Sequence, residues 1–128
     1  FGLSTLEAMQ CGTPIIAPCT GGQTRQVVDY RDGSENGFAL PIEFKTLVGS
    51  QSVPYIYEDY TSCETISEKL WSMYDLGTHG RYKLGQKAKQ YVSEEFSYQG
   101  TIDKFHNLML ETIENWKKRY TRYEITEF

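Results

Sequence analysis

Gly2-Leu3-Ser4-Thr5, with Glu7 two places on, is the stretch of this chain whose residue types and spacing could do chemistry. A glycine-containing turn opens there directly onto a predicted helix that ends at Gly12. The first N–H groups of a helix have no partner inside it, and its N-terminus carries about half a positive charge. Such an end binds phosphate. Ser4 and Thr5 add hydroxyl donors, and Gly2 has no β-carbon, so a ligand can approach the main chain. Glu7, one turn in, offers two acceptors, as a ribose diol requires. These residues predict a nucleoside-diphosphate site. Ser4 and Glu7 also read as a capping box, S-x-x-E, in which each side chain bonds the other's backbone N–H. On residue types alone, both readings stand.

The elements that must position this stretch are legible from patterning. Leu6, Ala8 and Met9 supply the apolar surface of the first helix, and Gly12 is a natural left-handed stop. Ile15-Ile16-Ala17 is short, β-branched and apolar on both alternations, as expected of a strand buried on both faces. Cys19 to Gly22 predicts a turn, with Gly21-Gly22 able to lie close to another backbone, and residues 24–28 predict a short helix. Asp32-Gly33 and Asn36-Gly37 are turn signals, and Phe38-Ala39-Leu40 is a second short strand closed by Pro41. Helix, strand, helix, strand with tight links is half of a parallel α/β sheet. Two strands are too few for a doubly wound sheet, so upstream residues or another copy of the chain are expected to complete it.

Residues 43–60 show neither period clearly and are expected to form a long loop, with one short strand at 53–57. Three helices are predicted after it. Residues 62–76 align Ile66, Leu70, Met73 and Tyr74; residues 81–96 align Leu84, Ala88, Tyr91 and Val92. Residues 99–120 align Ile102, Phe105, Met109, Ile113, Trp116 and Tyr120 in one stripe. Gly77 and Gly80 punctuate the first junction, and the tail after Tyr120 is expected to fray or to depend on a partner.

The 128 residues make about one ordinary domain. A hydrophobic share of 39% and a charged share of 23% exclude a disordered chain. No apolar run approaches the roughly 20 residues of a spanning helix. A net charge of -4 argues against general nucleic-acid binding, although residues 81–128 hold 9 basic against 7 acidic groups. Cys11, Cys19 and Cys63 have no C-x-x-C spacing, and His79 and His106 stand far apart, so neither a disulfide framework nor a zinc site is expected. Reduced cysteines point to a cytoplasmic compartment. Ten tyrosines are more than a core needs, and Tyr55, Tyr57 and Tyr60 are read as a surface that meets another domain.

Phe1 to Ala17, F-G-L-S-T-L-E-A-M-Q-C-G-T-P-I-I-A, resembles the signature of the retaining, nucleotide-sugar-dependent glycosyltransferases of the GT-B fold. That pattern runs E-G-F-G-L, about four variable residues, then E-A-M-A-x-G-x-P-V-V-A, and is called the E-x7-E motif. The similarity is close over the first 40 residues. It is looser through 60–120, where Gly77, Gly80, Arg81 and Gly85 match a closing G-x-x-G-R-x-x-x-G pattern. The resemblance implies an α/β fold: the C-terminal portion of a Rossmann-like GT-B domain, its parallel sheet incomplete, followed by C-terminal helices. It implies one partial donor-binding domain over 1–128, with an α/β part over 1–60 and a helical end over 61–120. Glu7 would bond the ribose hydroxyls of the donor. Gly2, Leu3 and Ser4 would present N–H groups to the donor sugar and phosphates, with Ser4 and Thr5 beside the pyrophosphate.

The same resemblance implies transfer of a sugar with retention of configuration to a glycan, lipid-linked or small-molecule acceptor. No metal and no cofactor beyond the nucleoside-diphosphate sugar is implied, and no catalytic residue falls on this chain. The first glutamate of the motif, eight positions before Glu7, would lie ahead of Phe1, with the phosphate-clamping basic residues and the base pocket earlier still; the N-terminal domain of the same protein is the expected partner. Where the family commonly has Pro-Glu after the glycine pair, this chain has Thr24-Arg25, and Arg25 is read as a solvated helix residue. His106, Trp71 and Trp116 are read as boundary or packing residues. Lys117-Lys118-Arg119 favours a helix end, with contact to a membrane surface as the other reading. A non-catalytic nucleotide-sugar-binding domain and a nucleotide-sugar epimerase of the same fold remain the alternatives.

Overall fold

The computed structural model describes residues 1–119, apart from the side chains of residues 117 and 119; the tail after Tyr120 lies outside the described residues. The chain is mixed α/β with one small parallel sheet, one antiparallel hairpin and C-terminal helices. Helix α1 (Leu3–Gln10) leads into strand β1 (Ile16–Pro18). A 3-10 turn (Gly21–Gln23) and helix α2 (Thr24–Val27) lead to strand β2 (Phe38–Leu40). β1 and β2 pair in parallel, with Ile16, Ala17 and Pro18 opposite Phe38, Ala39 and Leu40. The half sheet read from the two apolar triplets is thus present as a parallel pair. β1 is less enclosed than expected: Ala17 is buried while Ile16 and Pro18 are partly exposed.

Residues 43–60 form a hairpin; the expected strand at 53–57 lies within its second strand, and the rest of the expected loop is corrected. Strand β3 (Phe44–Ser50) pairs antiparallel with β4 (Val53–Tyr60), from Phe44 opposite Tyr60 to Ser50 opposite Val53. A register shift between Val48 and Ser50 absorbs an extra residue on β4, where Pro54 and its missing N–H are tolerated. The period was hidden because both faces carry large side chains, Phe44, Val48, Ile56 and Tyr60 on one and Leu47, Tyr55 and Tyr57 on the other. A strand with two apolar faces shows no alternation. Tyr55, Tyr57 and Tyr60 are exposed on this hairpin. Thr20 of the turn after β1 donates a hydrogen bond to the Asp59 carboxylate of β4, and Lys45 Nζ lies 3.4 Å from the same carboxylate.

Helix α3 (Cys63–Asp75) is capped by Ser62, whose hydroxyl accepts from the Thr65 N–H at 3.3 Å. Glu43 reinforces the cap by accepting from the Ser62 N–H at 3.1 Å and from the hydroxyls of Ser62 and Thr65 at 2.7 Å each. Helix α4 (Gly77–Glu95) starts earlier than predicted: Gly77, at φ +63, begins it, and Gly80 lies inside it. Helix α5 (Tyr98–Arg119) follows the predicted stripe as far as Trp116.

The chain divides into two compact units after Glu95, not after residue 60. α3 and α4 belong with the sheet in the first unit, because α4 packs on α1 and α3 on β2. The core of that unit is Met9 of α1, Ile15, Ala17, Val27 and Leu40 around the parallel pair, and Ala88, Tyr91 and Val92 of α4. Tyr91 Oη donates to the Arg25 carbonyl at 2.6 Å, so α4 also holds α2 in place. The described part of the second unit is α5 itself.

Candidate functional site

α1 begins one turn's fraction earlier than the capping box requires. Leu3 is the first helical residue and Gly2 is the N-cap, with no side-chain capping hydrogen bond. The expected Ser4–Glu7 box is therefore not formed, and both side chains are released from that duty. Gly2 is itself closely packed. A β-carbon there would stand 3.1 Å from side-chain atoms of both Gln23 and Gln26. Gly2 has φ -98, which any residue adopts, so it is glycine for space and not for conformation. Its carbonyl accepts from the Leu6 N–H at 3.3 Å, which closes the first turn. The N–H groups of Leu3, Ser4 and Thr5 precede any acceptor inside the helix, as at every helix start.

The turn that follows β1 sets where this helix end lies. Gly22 packs against Phe1, with a β-carbon position 3.1 Å from the Phe1 Cα. Gln23 Nε2 donates to Thr5 Oγ1 at 3.4 Å. The N-terminus of α1 therefore sits at the carboxyl end of the parallel pair, beside the Cys19–Gly22 turn. Open parallel sheets bind ligands at that edge. Leu3, Ser4 and Glu7 are exposed, and Ser4 and Glu7, three residues apart, share a helix face. Thr5 is half-buried and turned to Gln23. Four of the five residues singled out from the sequence, Gly2, Leu3, Ser4 and Glu7, are thus gathered at one accessible end, and Thr5 is engaged with its neighbour.

Gln23 and Gln26 were not anticipated. Gln26 is fully buried, and neither Nε2 nor Oε1 has a hydrogen-bond partner among the described residues. The available signal was a glutamine directly before Val27-Val28, on a short helix that must bury one face.

Arg25 does more than the solvated reading assigned. Its guanidinium lies 3.2 Å from the Glu95 carboxylate and 4.2 Å from the centre of the Tyr30 ring, tying α2 to the end of α4. A second polar cluster lies behind it. Arg31 grips Asp29 through Nε at 2.9 Å and Nη2 at 2.7 Å, and reaches Glu94 at 3.0 Å. The Arg31 hydrogen bonds hold the Asp29 carboxyl below its usual range, and those of Gln90 and Arg31 do the same for Glu94. Burial pushes the Tyr91 phenol up to about 12. All these groups join α4 to the α2–β2 segment.

Cys11, Cys19 and Cys63 are free thiols, and burial raises the pKa of Cys19. Among the described residues, no group of three or more His, Cys, Asp or Glu side chains is placed to hold a metal ion. No helix among them is long and apolar enough to cross a membrane.

Fold and site together define a mixed α/β chain with an open helix N-terminus at the carboxyl edge of a parallel strand pair. No protein-family model matches the chain, and neither does a curated protein or a solved structure.

Proposed function

We propose that the chain is the donor-binding, C-terminal portion of a retaining nucleotide-sugar glycosyltransferase with a Rossmann-like GT-B fold. The observation that carries the reading is the placement of Gly2, Leu3 and Ser4 at a helix N-terminus on the carboxyl edge of β1, with Glu7 on the same exposed side. The released capping box supports it as well. Ser4 and Glu7 are presented outward instead of being bonded to backbone.

In this reading the diphosphate of the donor lies on the first-turn N–H groups, and the Ser4 hydroxyl bonds an outer phosphate oxygen. Glu7 accepts from the ribose hydroxyls. As the bond from sugar to phosphate breaks, negative charge grows on the leaving diphosphate, and the fixed dipoles of α1 stabilise it where it grows. The helix end alone contributes about 0.3–2 kcal/mol, so cationic groups outside this chain carry the rest. The acceptor hydroxyl attacks from the face that the diphosphate leaves and gives its proton to the departing diphosphate, which retains the configuration. The chain supplies position and electrostatics, and no nucleophile.

Titration of the isotopically labelled chain with uridine, adenosine and guanosine diphosphates tests the reading. One of them is expected to shift the amide signals of Leu3, Ser4 and Thr5. Glu7→Gln is expected to weaken that binding by about tenfold, the lower end of the value of one charge-assisted hydrogen bond net of water. Equal affinity in the variant removes Glu7 from the site, and silence of all three nucleotides at these amides removes the reading.

A further inference from the structure

Gln26 is the least comfortable side chain in the first unit. It is fully buried, yet both polar atoms of its carboxamide lack a hydrogen-bond partner among the described residues. Native interiors seldom leave such groups alone, and those that remain unsatisfied call for a partner the protein does not itself provide. The position does not require glutamine for packing. Val27 beside it is also fully buried, and an apolar residue would fill the same volume without an orphaned amide. Its Oε1 stands 3.1 Å from the β-carbon position of Gly2, the N-cap of α1. The carboxamide is therefore aimed at the helix end that carries the three open N–H groups.

We infer that Gln26 is a positioning residue for an oxyanion of the phosphate class bound at the N-terminus of α1. Nε2 has two protons to donate and no acceptor among the described residues, so one neutral amide can extend the row of main-chain donors toward the anion. Gln23 also reaches the β-carbon position of Gly2 and donates to Thr5, so a second amide stands at the same place. Gly2 follows from the same arrangement, since any side chain there would displace both amides. This inference rests on the proposed donor site for the identity of the ligand, and not for the presence of an anion.

The test uses inorganic pyrophosphate and a nucleoside diphosphate on the wild-type chain, on Gln26→Met, which keeps the volume, and on Gln26→Leu. The two Gln26 side-chain N–H signals are followed directly in the wild type. Pyrophosphate is expected to shift those signals together with the Leu3–Thr5 amides. Each variant is expected to bind pyrophosphate about fivefold more weakly while melting at a higher temperature, because an unsatisfied amide has been removed. A purely structural glutamine would change the melting temperature without changing affinity. Equal affinity in the variants, or Gln26 signals that stay still while the α1 amides move, overturns the inference and leaves the donor site standing. Pyrophosphate binding that depends on Gln26, with no gain from the nucleoside, supports the inference and overturns the donor site. Absence of any pyrophosphate response in the wild type overturns both. Should the variants fail to fold, the wild-type Gln26 signals decide alone.

Discussion

Gly85 of α4 lies directly against Gly12, the residue that ends α1. A β-carbon on Gly85 would overlap the Gly12 carbonyl oxygen, would stand 2.8 Å from its carbon and would press on Pro14 Cδ at 3.4 Å. Gly12 has φ +75, so the chain reverses there in the left-handed region before entering β1. The two glycines let α4 approach the α1–β1 link by backbone, and this sets the height at which α1 presents its N-terminus. Gly85→Ala is expected to destabilise the chain by about 3 kcal/mol, the upper end of overpacking costs, because the obstacle is main chain and cannot rotate away. Urea unfolding followed by circular dichroism measures it. A change below about 1 kcal/mol would mean that α4 does not sit this close.

Ser4→Ala is expected to leave stability within about 0.5 kcal/mol of the wild type, as for a surface substitution away from any cap. Loss of a working N-cap would cost about 1 kcal/mol. The same unfolding measurement separates the two, and a loss of about 1 kcal/mol would restore the capping box that the structure lacks.

Asp29→Asn is expected to remove part of the acid sensitivity of the fold. Arg31 lowers the Asp29 pKa in the folded chain, so the stabilisation is fully present above the ordinary carboxylate value. It is lost as the pH falls through the depressed value, where the folded carboxyl takes up its proton. Wild-type urea midpoints should fall as the pH drops below the ordinary carboxylate value, and the variant should fall less over the same range. Parallel curves would show that the Arg31 pair carries no net stabilisation.

Tyr91→Phe deletes the 2.6 Å hydrogen bond to the Arg25 carbonyl. It is expected to cost about 0.5–1.5 kcal/mol. The Tyr91 phenol is raised to about 12 by burial. Its contribution is therefore intact below the ordinary tyrosine value near 10 and is lost as the pH rises toward about 12. Alkaline unfolding of the variant should begin at higher pH, relative to its own neutral stability, than that of the wild type. Identical profiles would show that Tyr91 does not titrate with unfolding.

The strands β1 and β2 and the end of α1 were legible because each rests on local pattern. Phe38-Ala39-Leu40 became β2 as read, and Gly12 ends α1 in the left-handed conformation that a stop glycine supplies. The 43–60 hairpin was not legible, because side chains such as Val48, Tyr55 and Tyr57 make both faces apolar and erase the two-residue period. The capping box failed for a different reason. Whether Ser4 caps α1 depends on where helical geometry begins, and it begins at Leu3, two residues before a Ser4 cap allows.

The sequence by itself determined the order of the helices and of β1 and β2, the open helix end and the residue types offered there, since propensity and spacing act within a few residues. Only the tertiary structure decided that this end lies at the carboxyl edge of β1, that Ser4 and Glu7 face outward, and that a buried glutamine stands behind Gly2. Those facts depend on contacts between segments about 20 residues apart for Gln26 and far more for α4, and no local pattern specifies which distant side chain fills a given space.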